Sequence, residues 1–206
     1  MPLPNKHSFD DVYGYQHTQR WAKILCKESG WWERVCDALR LEGAARKQLP
    51  NIVTTCNLFF TFVVLGCLYL GAEKSPVYYV VGVIALVVRQ YLDMMDGSVA
   101  RVCDMKSRFG NYYDHVSDAA YVLGLLTLFV YLTPPPGKTV AMILSGLGFI
   151  AFVVDIVNVI EEKDVTNDHI NDNLMILNVM VYLIIVGFVE TSKRHANPVS
   201  ATKLVK

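Results

Sequence analysis

An uncharged run of membrane length constrains this chain more than any other feature. From Pro50 to Ala72 the sequence contains no Lys, Arg, Asp or Glu, and about 20 apolar residues are enough for a helix to cross roughly 30 Å of hydrocarbon. A helix of a soluble core would show a polar face every 3.6 residues or so, whereas the run "NIVTTCNLFFTFVVLGCLYLG" shows no continuous one. The run therefore predicts a transmembrane helix.

Four further apolar runs predict an all-α fold, a polytopic membrane helix bundle. The second of the four has only 15 residues, so we expect its helix to extend back through Tyr112 and Tyr113 into the polar stretch before it. The connections are short, which makes consecutive helices antiparallel neighbours. We expect five transmembrane helices, or six if another crossing lies within the polar residues 155–172. The four runs are residues 76–88, 119–133, 140–154 and 174–189.

The polar residues before the first run contain a predicted amphipathic helix. Trp32, Val35, Cys36 and Leu39 recur at positions i, i+3, i+4 and i+7, with charged residues between them. Such a helix suits the headgroup layer of a membrane, but the same apolar side could pack against the protein's own cytosolic face. The expected division is an N-terminal extension (1–48), a transmembrane domain with the candidate site (49–190) and a polar tail (191–206).

The distribution of positive charge predicts the orientation. Eight Lys or Arg residues precede the first run, and Arg101, Lys106 and Arg108 follow the second, whereas the "GAEKSP" and "TPPPGK" loops carry one each. Positive residues favour the cytoplasmic side, so the N-terminus and the loop after the second run should face the cytoplasm. With five spans, the tail and its four positive charges would lie on the opposite side, which conflicts with the rule; a sixth crossing would remove the conflict.

Net charge and cysteines exclude some classes of protein. The formal net charge is +0, so there is no electrostatic case for a nucleic-acid partner. The five cysteines form no C-x-x-C pair, which argues against a zinc site. We expect reduced or buried cysteines and no structural disulfide.

Four aspartates border the second and third apolar runs. Asp93 and Asp96 are spaced i, i+3, and Asp114 and Asp118 are spaced i, i+4, so each pair shares a helix face. The turn "VCDMKSRFG" between them is short enough to bring the two helix ends together. Ionisable groups beside hydrocarbon are candidate functional residues. Asp104, which lies in the turn among basic residues, is expected to be solvated.

The residue types around these acids suit a metal–diphosphate site. Four carboxylates could hold two Mg²⁺ or Mn²⁺ ions about 4 Å apart, an arrangement that serves displacement at phosphorus. Arg101 can form bidentate hydrogen bonds with phosphate oxygens. Arg89 could either snorkel to the interface or pair with an acid. The small residues that would let a bulky ligand approach the helix backbones are Gly97, Ala100 and Gly110.

The stretch "DMMDGSVARVCDMKSRFGNYYDHVSD" resembles the signature of the CDP-alcohol phosphotransferases. It follows the pattern D-x2-D-G-x2-A-R-x8-G-x3-D-x3-D at all eight fixed positions over 26 residues. The resemblance implies an integral-membrane enzyme of phospholipid biosynthesis. It would transfer a substituted phosphoryl group, such as phosphatidyl, from a CDP-linked lipid or headgroup alcohol to an acceptor alcohol, with release of CMP.

The resemblance also assigns roles to individual residues. Asp118 is similar to the acid that acts as general base toward the acceptor hydroxyl. Arg101 resembles the diphosphate contact, Gly97 and Ala100 resemble the floor under the cytidine nucleotide, and Gly110 resembles the third clearance position. The carboxylates that resemble the ligands of the two Mg²⁺ or Mn²⁺ ions are Asp93, Asp96, Asp114 and Asp118.

Two further positions have alternative explanations. "PNIVT", with Asn51 and Thr54, resembles a weaker family element near the nucleotide, but Asn51 could instead cap the first membrane helix. His115 gives the form D-H-x-x-D that choline and ethanolamine phosphotransferases carry, where this histidine is a candidate base; it could equally be a neighbour of the metal acids or an exposed residue. The short chain resembles instead the compact branch that transfers phosphatidyl groups.

The sequence does not identify the acceptor, and two other classes of protein remain as alternatives to the enzyme. Inositol, glycerol phosphate, serine, and diacylglycerol with CDP-choline or CDP-ethanolamine are all candidates. A polytopic metal or proton carrier also places acids among membrane helices, and a silent membrane scaffold would need none of the chemistry. Homodimers are common in the family. The expected location is the endoplasmic-reticulum-type membrane of a eukaryote or the inner membrane of a bacterium, with the active site facing the cytoplasm.

Overall fold

The computed structural model describes residues 13–161 and 171–196, and every regular element in them is helical. This confirms the all-α prediction. A π-helical turn, Ile24–Glu28, continues the first helix, and a 3-10 turn, Gly43–Lys47, precedes the third. The α-helices are α1 (Tyr13–Lys23), α2 (Trp31–Ala38), α3 (Leu49–Glu73), α4 (Val77–Val102), α5 (Arg108–Leu132), α6 (Pro135–Glu161) and α7 (Asn171–Ala196).

Four helices of the described chain are long and apolar enough to cross a membrane. They are α3, α4, α5 and the segment Pro135–Val154 of α6, and they correspond to the first four predicted spans. As expected from its short apolar run, the helix that contains residues 119–133 begins well before them, at Arg108. The predicted fifth run, 174–189, lies within the single helix α7, and its crossing of the membrane remains a prediction. Of residues 155–172, where a sixth crossing was considered, residues 155–161 belong to α6 and residues 171–172 to α7, and residues 162–170 lie outside the described residues.

Proline sets the boundary between α5 and α6. α5 ends at Leu132, two residues before the first of three consecutive prolines. Pro135 and Pro136 then form the start of α6, where proline is favoured because the first turn of a helix leaves its amides without an intrahelical partner. The three prolines therefore separate the two helices, and two of them begin α6.

Packing contacts divide the described chain into two units. Unit 1 contains residues 13–59, 88–117 and 171–176, and unit 2 contains residues 60–87, 118–161 and 177–196. The core of unit 1 is a small cluster of buried apolar residues from α1, α2, α3 and α4: Ala22, Trp32, Cys36, Leu49 and Val99.

The apolar side of α2 packs into this cluster. Trp32 and Cys36 are buried, and the indole Nε1 of Trp32 donates a 2.7 Å hydrogen bond to the carbonyl of Arg46. Leu39, predicted to belong to the same side, lies beyond the end of α2 and is 64% exposed. Of the two alternatives for this helix, packing against the protein itself is what the described residues show; a further contact of the exposed Trp31 with headgroups remains a prediction.

The cysteine prediction was wrong for one pair. Cys26, in the π-helical turn, and Cys103, just after α4, form a disulfide across 77 residues of sequence. Nothing in the spacing of the cysteines could show this pairing, because it depends on α1 packing beside the end of α4. Cys36, Cys56 and Cys67 are free.

Unit 2 contains the larger apolar core. Val64, Leu68, Leu86 and Tyr182 are fully buried. Gly82 leaves room for the phenol of Tyr182, as expected where small residues allow membrane helices to pack closely. This packing fixes the helices in unit 2 without using any of the candidate site residues of α4.

Candidate metal and nucleotide site

Two helices carry the aspartates of the motif. Asp93 and Asp96 lie one turn apart on α4, and Asp114 lies on the first turns of α5, after the connection 103–107. These three residues belong to unit 1. Asp118 begins the unit 2 part of α5, but α5 is one continuous helix, so Asp118 lies one helical turn beyond Asp114 on the same face.

Three of the four predicted carboxylates converge. One carboxylate oxygen from each of Asp93, Asp114 and Asp118 lies within 4.8 Å of the other two, and all three side chains are half-buried. Because three acids so close together would repel one another, the arrangement favours a bound cation. His115 and Asp96 lie outside this group of oxygens.

Asp96 is held separately, deeper in unit 1. Its side chain is buried, and its Oδ2 accepts a 2.6 Å hydrogen bond from the hydroxyl of Thr54 on α3. It interacts electrostatically with Asp114 and Asp93. Asp96 therefore lies close enough to interact with the other acids, while its Oδ2 is hydrogen-bonded to Thr54.

Asp93 is surrounded by donors that the sequence analysis did not select. The Nδ2 of Asn57 on α3 donates a 2.8 Å hydrogen bond to its Oδ1, and the Nε2 of Gln90 lies 3.3 Å from its Oδ2. The guanidinium of Arg89 lies 3.6 Å from Oδ1, so Arg89 pairs with an acid instead of snorkelling. A signal for Asn57 was available, because an amide inside a membrane-length apolar run is a candidate functional residue in its own right.

The two motif glycines have different surroundings. A Cβ at Gly97 would lie 3.5 Å from the guanidinium nitrogens of Arg101, which is ordinary contact, whereas a Cβ at Gly110 would lie 2.8 Å from Oδ1 of Asn51 and 3.0 Å from Oγ of Ser107. The packing of the protein itself therefore favours glycine at position 110, because a methyl group there would displace Asn51 or Ser107. At position 97 a methyl group would meet the guanidinium of Arg101 at an ordinary contact distance.

Asn51 and Thr54 both face the motif segments. Asn51 lies inside the first turn of α3, and its Nδ2 donates to Oε1 of Gln48, so the alternative that it caps the helix is wrong. Its Oδ1 is the atom beside Gly110. With Thr54 bonded to Asp96, the "PNIVT" element contacts both halves of the motif.

The other predicted site residues lie around this centre. Arg101 is exposed on the last turn of α4, and Ala100 beside it is half-buried. His115 is half-buried on α5, next to Asp114. Asp104 is exposed, as predicted.

Comparison with known proteins gives one family and one curated relative. The family model for CDP-alcohol phosphatidyltransferase matches residues 47–201. The relative is the CDP-diacylglycerol–glycerol-3-phosphate 3-phosphatidyltransferase of Bacillus subtilis (strain 168), which is 28% identical over 106 residues. That match covers 47% of this chain and 55% of the relative, so the chain spans about half the length of the relative it matches. No solved structure matches the chain. The family match includes the whole of the aspartate motif and begins just before α3, and the chain belongs to the CDP-alcohol phosphatidyltransferase family.

Proposed function

We propose that this chain is an integral-membrane transferase that moves a substituted phosphoryl group from a CDP-linked alcohol to an acceptor alcohol and releases CMP. In the simplest form of the reaction the transferred group is phosphatidyl and the donor is CDP-diacylglycerol. The observation that supports this most strongly is the convergence of Asp93, Asp114 and Asp118 from two helices of membrane length.

The donor atoms of the site suit Mg²⁺ or Mn²⁺. Hard divalent cations prefer oxygen ligands, and the converging groups offer only carboxylate oxygens. The carbonyl oxygen of Asn57 is also buried without a hydrogen-bond partner. In this proposal the two ions are held by Asp93, Asp96, Asp114 and Asp118. When bound, they neutralise the acids and withdraw charge from the diphosphate.

The nucleotide side of the site is the C-terminal part of α4. Gly97 and Arg101 lie one turn apart on the helix face that also carries Asp93, and Ala100 lies beside them. The cytidine rests on the backbone at Gly97 and Ala100, beside the guanidinium of Arg101. The exposed guanidinium of Arg101 binds the diphosphate through paired hydrogen bonds.

Asp118 accepts the proton of the acceptor hydroxyl, with His115 as the alternative base. As the proton leaves, the hydroxyl oxygen bonds to the phosphorus of the transferred group. The bond from that phosphorus to the phosphate oxygen of CMP breaks, and CMP leaves with the bonding electrons. The contribution of the protein is mainly positioning and electrostatic stabilisation, as in other phosphoryl transfers.

The positive residues before α3 and between α4 and α5 support an active site on the cytoplasmic side. A water-soluble acceptor then reaches the acids from the cytoplasm, and CMP leaves to the same side. The lipid chains of the donor or product leave sideways between helices into the bilayer, which accounts for acids at the end of membrane-length helices.

Two observations suggest different acceptors. The similarity to the Bacillus subtilis 3-phosphatidyltransferase, which is named for CDP-diacylglycerol and glycerol 3-phosphate, favours this donor and acceptor. The sequence of Asp114 and His115, which gives the form D-H-x-x-D, favours diacylglycerol with CDP-choline or CDP-ethanolamine. We take glycerol 3-phosphate as the first acceptor to test.

The experiment is a substrate panel with purified protein in lipid nanodiscs. Radiolabelled CDP-diacylglycerol is offered with glycerol 3-phosphate, inositol or serine, and CDP-choline or CDP-ethanolamine is offered with diacylglycerol, each with Mn²⁺ or Mg²⁺ and with EDTA as the blank. We expect metal-dependent CMP release with at least one pair. No CMP release with any pair would contradict the proposal and favour a silent scaffold, whereas Mn²⁺ uptake into proteoliposomes without nucleotide would favour a carrier.

A further inference from the structure

We propose that Asn57 is a positioning residue that fixes the carboxylate of Asp93 for cation binding. The inference rests on the proposed function, because it assigns a role within the same metal site. Asn57 lies on α3, outside the eight fixed positions of the motif, and its amide donates a 2.8 Å hydrogen bond to Oδ1 of Asp93.

The contacts of Asp93 come from two directions. Asn57 approaches from α3, while Arg89 and Gln90 approach from the preceding turn of α4. Asn57 is completely buried, and Arg89 and Gln90 are 2% and 3% exposed. A carboxylate has about four lone-pair sites, so it can accept directional hydrogen bonds such as those from Asn57 and Gln90 and also bind a cation.

Charge explains why this carboxylate needs such support. Asp93 has to remain close to Asp114 and Asp118 before any cation neutralises them, and like charges repel. The guanidinium of Arg89 supplies one nearby positive charge. A positive charge attracts the carboxylate without fixing its rotation, whereas the directional hydrogen bond from Asn57 restricts it.

The choice of asparagine argues against a purely structural contact. The Oδ1 of Asn57 is buried without a hydrogen-bond partner, a situation that costs stability in proteins. An apolar residue of similar size would avoid that cost at position 57. The hydrogen bond that the structure shows for this amide is the one to Asp93.

A hydrogen bond that only stabilised the packing of α3 against α4 would show the same 2.8 Å distance from Asn57 to Asp93. The test must therefore measure metal binding as well as stability. The variants are Asn57→Leu, with Asn57→Ala as a second version in case leucine disturbs packing, Asp93→Asn, and the double variant. Thr61→Val is the matched control, because Thr61 is also fully buried on α3 with an Oγ1 that has no hydrogen-bond partner. Each protein is titrated with Mn²⁺ alone and the free ion is measured by electron paramagnetic resonance, beside a thermal unfolding curve.

We expect Asn57→Leu and Asn57→Ala to weaken Mn²⁺ binding roughly 10- to 100-fold, the usual effect of losing a residue that orients a metal ligand. Thr61→Val should bind Mn²⁺ like the wild type. Since Asn57 acts through Asp93, the double variant should bind no more weakly than Asp93→Asn alone, within about twofold.

Wild-type Mn²⁺ affinity in both Asn57 variants, or losses that multiply in the double variant, would overturn the positioning role while leaving the metal site intact. A wild-type protein that binds no Mn²⁺ would overturn both this inference and the metal part of the proposed function. CMP release by the wild-type protein that persists in EDTA would also overturn the metal part of the proposed function.

Discussion

The hydroxyl of Thr54 on α3 donates a hydrogen bond to Oδ2 of Asp96 on α4, with 2.6 Å between the two oxygens. Both side chains are buried. The bond joins the short "PNIVT" element to the aspartate motif 42 residues later. It gives that element a role in holding a motif acid, beside the nucleotide contact that the resemblance suggests.

Thr54→Val should lower CMP release with little change in shape, because valine replaces the hydroxyl by a methyl group. A hydrogen bond to a charged group contributes about 1.5–3 kcal/mol, which corresponds to roughly 10- to 100-fold in rate if the bond is needed in the transition state. The measurement is CMP release at saturating donor and acceptor. Thr61→Val, on the same helix, should stay near the wild-type rate; equal rates for both variants would show that the Asp96 contact is dispensable.

The sequence predicted those parts of the fold that depend on local composition. The uncharged run beginning at Pro50 gave α3, and the shortness of the run at 119–133 correctly required α5 to start before Tyr112. The spacing of Trp32 and Cys36 correctly showed that they share a side of α2. Membrane helices satisfy their backbone hydrogen bonds internally, so hydrophobicity and proline positions are enough to locate them.

Contacts between distant segments could not be predicted in the same way. The Cys26–Cys103 disulfide and the bond from Asn57 to Asp93 depend on how α1 and α3 are rotated against α4. No spacing rule within one helix fixes that rotation. For the same reason, the sequence could not distinguish Gly110, which packs tightly against Asn51, from Gly97, which makes only ordinary contact with the end of Arg101.

Asp114→Asn should abolish CMP release while membrane insertion stays intact. The change removes one negative charge from the group formed with Asp93 and Asp118, and bound cations contribute several kcal/mol to such reactions, so we expect a loss of at least about 100-fold. Insertion is checked by alkaline extraction of membranes. Adding excess Mn²⁺ should restore EDTA-treated wild type but not the variant, and turnover like that of the wild type would refute the metal assignment.

Gly97→Ala and Gly110→Ala should fail in different ways. At Gly97 the new methyl group meets only the end of the Arg101 side chain at 3.5 Å, so unfolding temperature should change little while affinity for CMP falls about 10-fold or more, as expected if a nucleotide lies against this backbone. At Gly110 the methyl group would approach Oδ1 of Asn51 at 2.8 Å, and overpacking of this kind costs about 1–3 kcal/mol. Isothermal titration with CMP and thermal unfolding separate the two effects. Unchanged CMP binding in Gly97→Ala would remove this glycine from the nucleotide site.

Trp32→Ala should destabilise the protein far more than Trp31→Ala. Trp32 is 4% exposed, packs in the cluster with Val99 and donates to the carbonyl of Arg46, whereas Trp31 beside it is 46% exposed. Replacing a buried Trp by Ala costs about 3–5 kcal/mol, while a surface substitution usually costs within about 0.5 kcal/mol. Val99 lies between Asp96 and Arg101 on α4, so we also expect Trp32→Ala to reduce CMP release at temperatures where the protein remains folded. Circular dichroism gives the unfolding midpoint without depending on the tryptophans. Equal midpoints for the two variants would show that the N-terminal helices do not stabilise the motif end of α4.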